Sequence, residues 1–225
     1  MGSSFLILSD LFDFSRITNA LMFAVPALIC ITFHELAHGF SAYRLGDNTA
    51  KEMGRLTLNP IKHIDIVGLL MMMFVGFGWA KPVPVNMYNF KHPKWYMALT
   101  AFAGPLSNII LTTVVLFLFG FFAAAIARLD AGRVIIDLIY HTAYLSVALA
   151  VFNLMPIPPL DGSKVLFSLI PEGLYVKLMR YERYGMILLI IILFVPFFRN
   201  IVGTITETIF NSLTVVFEIS YDLVN

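Results

Sequence analysis

Two histidines four residues apart with a glutamate beside the first, His34-Glu35-Leu36-Ala37-His38, are the residues whose types and spacing could do chemistry in this chain. On a helix His34 and His38 share a face and can turn their Nε2 atoms toward one ion. Glu35 sits about 100° round the axis, within reach of a water on that ion. The pattern reads as zinc plus a general base. A hydrolytic zinc takes three protein ligands and keeps a fourth position for water, whose pKa it lowers to about 7. A third ligand must then come from elsewhere.

So short a pattern also arises by chance, with its histidines as satisfied core residues. Location weighs against that reading, because the five residues lie in a long apolar run and ionisable groups at bilayer depth are costly and functional by default. The element that positions them runs from about Ile17 to Tyr43, roughly 40 Å if helical, with Pro26 placed to kink it. Counting back from Tyr43, His38 and His34 lie about 8 to 14 Å below that end, so the metal is expected beneath one membrane face.

The chain has 225 residues, 59% hydrophobic and 13% charged, with apolar runs too long for a soluble core. That composition is an integral membrane protein's. A net charge of +1 gives no basis for nucleic-acid binding. The single cysteine, Cys30, excludes an internal disulfide and reads as a packing residue. Met1 to Ser15 carries Asp10 and Asp13 where a signal peptide would be apolar, and reads as a short surface segment. No repeat or low-complexity linker divides residues 1–225, so one membrane-embedded domain is expected.

The expected fold is an all-α polytopic membrane protein. It has about four transmembrane helices, a small membrane-associated extended or β segment, and a re-entrant stretch. After the first span, Met97 to Ala127 supplies a second, broken or started by Gly104-Pro105, with Ala103, Gly104, Ser107 and Asn108 as small and polar contacts between helices. Val134 to Met155 is the third span and Gly185 to Phe198 a fourth. Thr204 to Glu218, carrying Glu207, Asn211 and Glu218, reads as interfacial. The run Ile64 to Phe77 is too short for the roughly 20 residues a span needs. If it does not cross, basic residues divide eleven to four between the two sides, and if it does they divide seven to eight. The positive-inside tendency therefore favours a re-entrant or surface-lying stretch, with the N-terminus outside and the metal toward the cytoplasm.

That topology supplies the third ligand. The third span ends at Asn153-Leu154-Met155-Pro156-Ile157-Pro158-Pro159-Leu160-Asp161-Gly162, whose prolines stop the helix and return an acid at the depth of the histidines. Asp161 is the expected ligand. Position 44, where a metzincin-like third histidine would stand, is Arg44, and Glu52 lies in the polar loop beyond the helix. Asp137 and His141 read as an intrahelical pair at the far interface, and His63 and His92 as solvated or structural loop residues. Gly78-Trp79-Ala80-Lys81-Pro82-Val83-Pro84-Val85-Asn86 reads either as a connector or as an extended edge onto which another chain could dock.

Several motifs together resemble the site-2 protease family of intramembrane zinc metalloproteases, particularly its short prokaryotic members without PDZ or CBS domains. They are His34-Glu35-Leu36-Ala37-His38-Gly39, Gly54-Arg55-Leu56-Thr57-Leu58-Asn59-Pro60, the stretch from Gly78 to Asn86, Ala103-Gly104-Pro105-Leu106-Ser107-Asn108, and Asn153 to Gly162. They cover most of the chain. The resemblance implies one zinc ion on His34, His38 and Asp161, Glu35 as catalytic acid/base, and Asn153 beside the scissile peptide. It further implies that Pro82, Val83, Pro84, Val85 and Asn86 guide an unwound transmembrane substrate. With no PDZ-like or CBS-like segment in view, control is expected from a partner or the substrate. The competing readings are a non-hydrolytic zinc-binding membrane scaffold, which would not need Glu35, and an ion carrier, which would line several spans with ionisable groups.

Overall fold

The computed structural model describes residues 14–68, 79–181 and 184–224. Most of the expected re-entrant stretch, from residue 69 on, lies outside the described residues, as does the N-terminal segment through residue 13. Helix α1 (Phe14–Arg44) runs unbroken through Pro26, and a short α2 (Thr49–Glu52) follows it. Helix α3 (Pro93–Ile126) begins with proline at its first turn and passes through Pro105 without a break. Gly104-Pro105 is therefore interior to one 34-residue helix. At about 51 Å it exceeds the roughly 30 Å hydrocarbon layer. Interior prolines are tolerated in such helices because neighbours re-satisfy the freed backbone groups.

Helix α4 (Gly132–Leu154) stops just before Pro156, and α5 (Asp161–Phe167) and α6 (Glu172–Tyr181) follow. Helices α7 (Gly185–Leu193) and α8 (Pro196–Asp222) meet at 85°. Among the described residues three helices are long and apolar enough to cross a membrane, Met22–Arg44, Pro93–Ile126 and Gly132–Leu154, and the bent α7–α8 pair taken as one span would make a fourth. The chain is a multi-pass, all-α membrane protein.

The bundle is built from α1, α3, α4 and α8, with Leu116, Ala143, Val147, Val151 and Phe210 buried at its centre. Small and hydroxylated residues let the helices approach: Thr112 Oγ1 donates to Ala143 O at 3.0 Å and Ser146 Oγ to Asn108 O at 2.9 Å. Cys30, fully buried, packs where its Sγ lies 3.3 Å from Thr142 O. Residues 204–218 do not stand apart from the bundle. They belong to α8, whose Thr206, Phe210 and Ser220 are buried while Glu207, Asn211 and Glu218 stay exposed. The polar residues that suggested an interfacial helix occupy its outer face. His141 packs its ring 4.6 Å from that of Phe23, and no ion pair with Asp137 forms. Nor is His63 solvated. It is buried, with Nε2 2.9 Å from Thr57 O.

Trp79–Asn86 forms no helix, with Asn86 in extended conformation at φ −107° and ψ 101°, and among the described residues no β-ladder forms. Pro82 and Pro84 bring no N–H to a ladder. Three of the N–H groups that remain find partners outside any ladder, with Lys81 N donating to His63 O at 3.0 Å, Val83 N to Glu35 Oε2 at 2.7 Å and Asn86 N to Asp47 Oδ2 at 2.7 Å.

Candidate metal centre

Helical periodicity puts His34 and His38 one turn apart on the inner face of α1, and their Nε2 atoms come within 3.0 Å of each other. Asp161 reaches the same point from the opposite wall: its Oδ2 is 3.1 Å from His34 Nε2 and 3.0 Å from His38 Nε2. It opens α5, which turns back against the end of α4. Gly162 makes that turn possible, because a Cβ there would run into Leu154 O and lie 2.6 Å from Met155 O. All three residues are buried, at 5, 9 and 8% exposure. The histidines and the aspartate predicted from sequence therefore meet, although 123 residues separate His38 from Asp161.

The floor of the cluster is Gly104. A Cβ built on it would lie 2.7 Å from His34 Cε1 and closer still to the His38 ring, so α3 can pass beneath the imidazoles only as glycine. Sequence reading saw Gly104 as a helix-packing residue and missed this role. The same helix supplies Thr100 O, which lies 2.7 Å from His38 Nδ1. A carbonyl only accepts, so Nδ1 carries the hydrogen and neutral His38 presents a lone pair at Nε2.

This donor set fits a divalent metal. Two imidazole nitrogens and a carboxylate oxygen converge at 3.0 to 3.1 Å. Around a tetrahedral zinc with bonds of about 2.0–2.1 Å, donors stand about 3.3–3.4 Å apart, within a few tenths of an ångström of that triangle. Without a cation, lone pairs and a carboxylate charge would face one another in a buried space.

The cluster opens on a cavity of about 720 Å³ whose walls include Glu35, Trp79, Pro82, Val85, Asn86 and Asn153. Glu35 is half-buried, and its Oε2 accepts from Val83 N at 2.7 Å. Asn153 lines the cavity but donates its amide to Leu149 O at 3.0 Å, one turn back in its own helix. Among the segment residues, Pro82, Val85 and Asn86 face the cavity, whereas the buried Val83 meets the site through its backbone and Pro84 does not line the space. Neither Asp137 nor His141 joins the cluster. Glu52, the rival ligand, is exposed in α2.

An apolar helical bundle around a buried His–His–Asp cluster, with a carboxylate beside it, defines a class: membrane-embedded proteins with an open metal centre. The family model described as "Peptidase family M50" matches residues 120–198, a span containing Asn153 and Asp161. A protein of Bacillus subtilis strain 168 named "Putative zinc metalloprotease YwhC" is 41% identical over 174 residues, covering 76% of this chain and 80% of that protein. The "Putative zinc metalloprotease Rip2" of Mycolicibacterium smegmatis is 29% identical over 177 residues, 75% of this chain and 65% of that one. The "Putative zinc metalloprotease MJ0611" of Methanocaldococcus jannaschii is 27% identical over 164 residues, 71% and 78% of the two chains. No solved structure gives a significant match. The chain belongs to peptidase family M50, the site-2 protease family that its motifs resemble.

Proposed function

We propose that this protein is an intramembrane zinc endopeptidase that hydrolyses peptide bonds within or near the transmembrane segments of other membrane proteins. The observation that carries the reading is the convergence of His34 Nε2, His38 Nε2 and Asp161 Oδ2 to 3.0–3.1 Å on the wall of a cavity that Glu35 also lines. The relatives' names support zinc as the metal, and His34, His38 and Asp161 are the three side chains that would hold one ion. When bound, zinc acidifies a water and polarises the carbonyl to be attacked.

The remaining steps belong to the chain's own residues. Glu35 Oε2 is held by Val83 N–H, which leaves Oε1 as the oxygen to handle the proton. It takes that proton as the water oxygen bonds to the carbonyl carbon, and hands it to the amide nitrogen as the C–N bond breaks. Asn153 stands on the same wall and is placed to hold substrate backbone once its amide turns away from Leu149 O.

A helical substrate hides its carbonyls in internal hydrogen bonds and must unwind before attack. Each backbone group so freed costs about several kcal/mol in lipid unless it finds a partner. Pro82 to Asn86 is the extended backbone beside the site that supplies one. Two of its three N–H groups, those of Val83 and Asn86, are taken by Glu35 and Asp47, while that of Val85 has no partner among the described residues. With residues 64–77 not crossing, the basic residues divide eleven to four, which supports a cell-membrane protein with its N-terminus outside and its site toward the cytoplasm. Its partners are then the bilayer lipid and a transmembrane protein substrate.

The test is Glu35→Gln in the purified protein, assayed on a designed transmembrane substrate. Zinc content should stay at the wild-type level and cleavage should disappear. Continued cleavage would remove Glu35 from the chemistry and with it this reading.

A further inference from the structure

We propose that Arg55 and Asp47 are positioning residues for this cleavage, gripping the two ends of the extended segment and thereby setting where Val83 N–H meets Glu35. The inference rests on the reading of that segment as the substrate-docking backbone. Arg55 is 7% exposed, and among the described residues no carboxylate pairs with it. Its Nη2 donates to Lys81 O at 2.8 Å and to Pro82 O at 3.3 Å. Burying a guanidinium away from any counter-charge is costly, and the charge-assisted bonds to these carbonyls are what offset it. A donor is what this end of the segment needs. Pro82 and Pro84 bring no N–H, so beyond the one N–H of Val83 a Pro-Val-Pro backbone can be held only by its carbonyls.

The other end is held by an acceptor. Asp47 is fully buried and takes Asn86 N and Asn89 Nδ2, each at 2.7 Å, while Thr49 fixes the carboxylate with its N–H at 3.1 Å and its hydroxyl at 2.5 Å. Between the two grips Val83 N meets Glu35 Oε2 at 2.7 Å. The gripping residues are in turn tied to α1 and to each other's loop: Asp47 N donates to Ala42 O at 2.9 Å, and Arg55 N to Ala50 O at 2.8 Å. Helix α1 and the loop after it thus form one body that touches the segment through Glu35, Asp47 and Arg55. That body also carries His34 and His38. A substrate strand laid on the segment is registered against the acid/base and the metal ligands together, and loosening either end shifts both substrate and Glu35.

The experiment uses the full chain in lipid nanodiscs with a designed transmembrane substrate, reading kcat, KM, zinc per chain and thermal stability. Arg55→Met is expected to raise KM about tenfold or more and to lower kcat, with zinc per chain unchanged. Arg55→Lys keeps the charge and can reach one carbonyl, and should bring KM back to within about threefold of wild type. Asp47→Asn, which weakens the second grip, should also raise KM. A purely structural role predicts a different pattern: kcat falling with the folded, zinc-loaded fraction while KM stays constant. That pattern overturns the proposal. If Arg55→Met does not fold, Asp47→Asn decides, and an unchanged KM in that variant is equally fatal. Glu35→Gln run alongside separates the two readings. Persistent cleavage there sinks the protease assignment, whereas an inactive Glu35→Gln beside an unmoved KM in the grip variants sinks the grip alone.

Discussion

Gly104→Ala is the substitution whose effect on the metal centre can be worked most directly from distances. The added methyl would sit 2.7 Å from His34 Cε1, where ordinary contact begins at 3.4 Å, a shortfall of 0.7 Å, and it would press harder on the His38 ring. His38 cannot yield freely, because its Nδ1 is bonded to Thr100 O at 2.7 Å on the same helix that carries the new methyl. One ring must shift by several tenths of an ångström or more, against a tolerance of about 0.2 Å for metal–ligand bonds. Overpacking of this kind costs about 1–3 kcal/mol. Zinc affinity should fall at least about tenfold, the scale seen when the groups that orient ligands are disturbed. The assay is zinc per chain after dialysis against graded chelator, with turnover of a transmembrane substrate measured on the same samples. Gly203→Ala is the control, because nothing lies within 4 Å of its Cβ in α8. It should leave zinc and turnover alone and stabilise by about 0.5–1 kcal/mol. Wild-type zinc retention and turnover in Gly104→Ala would refute the argument that α3 forms the floor of the site.

Asp161→Ala should lower bound zinc sharply where Glu35→Gln does not, measured as metal per chain; full occupancy in the alanine variant would mean that another residue is the third ligand. Acid should reveal the Asp47 grip. Burial pushes its carboxyl up, but bonds from Thr49, Asn86 N–H and Asn89 outweigh burial and hold it below the usual carboxylate range. A depressed pKa contributes stability that is complete above the unfolded value of about 3.9 and is lost as pH falls through the folded value. Thermal midpoints recorded from pH 7 downward should therefore drop more steeply in acid for wild type than for Asp47→Asn, and parallel curves would count against the grip.

What the amino-acid order determined by itself was the His–His–Asp donor set and the helices that carry it. The spacing of His34 and His38 becomes one face through the helical period, and the apolar runs mark the bundle. Prolines after Leu154 end α4 where Asp161 can return to the histidines. These are local rules, readable because each depends on residues within a turn or two of one another or on the length of a single element. Only the tertiary structure decided the rest. That α8 docks along α3 and α4, that Gly104 underlies the imidazoles, and that His141 meets Phe23 all depend on which helices become neighbours. The extended segment shows the limit most clearly. Its prolines announced an edge, yet whether that edge found a strand or was held by Arg55, Asp47 and Glu35 turned on backbone N–H and C=O groups that every residue carries alike. Side-chain patterns leave no trace of partners chosen by backbone atoms across 20 to 50 positions of chain, and packing alone selects them.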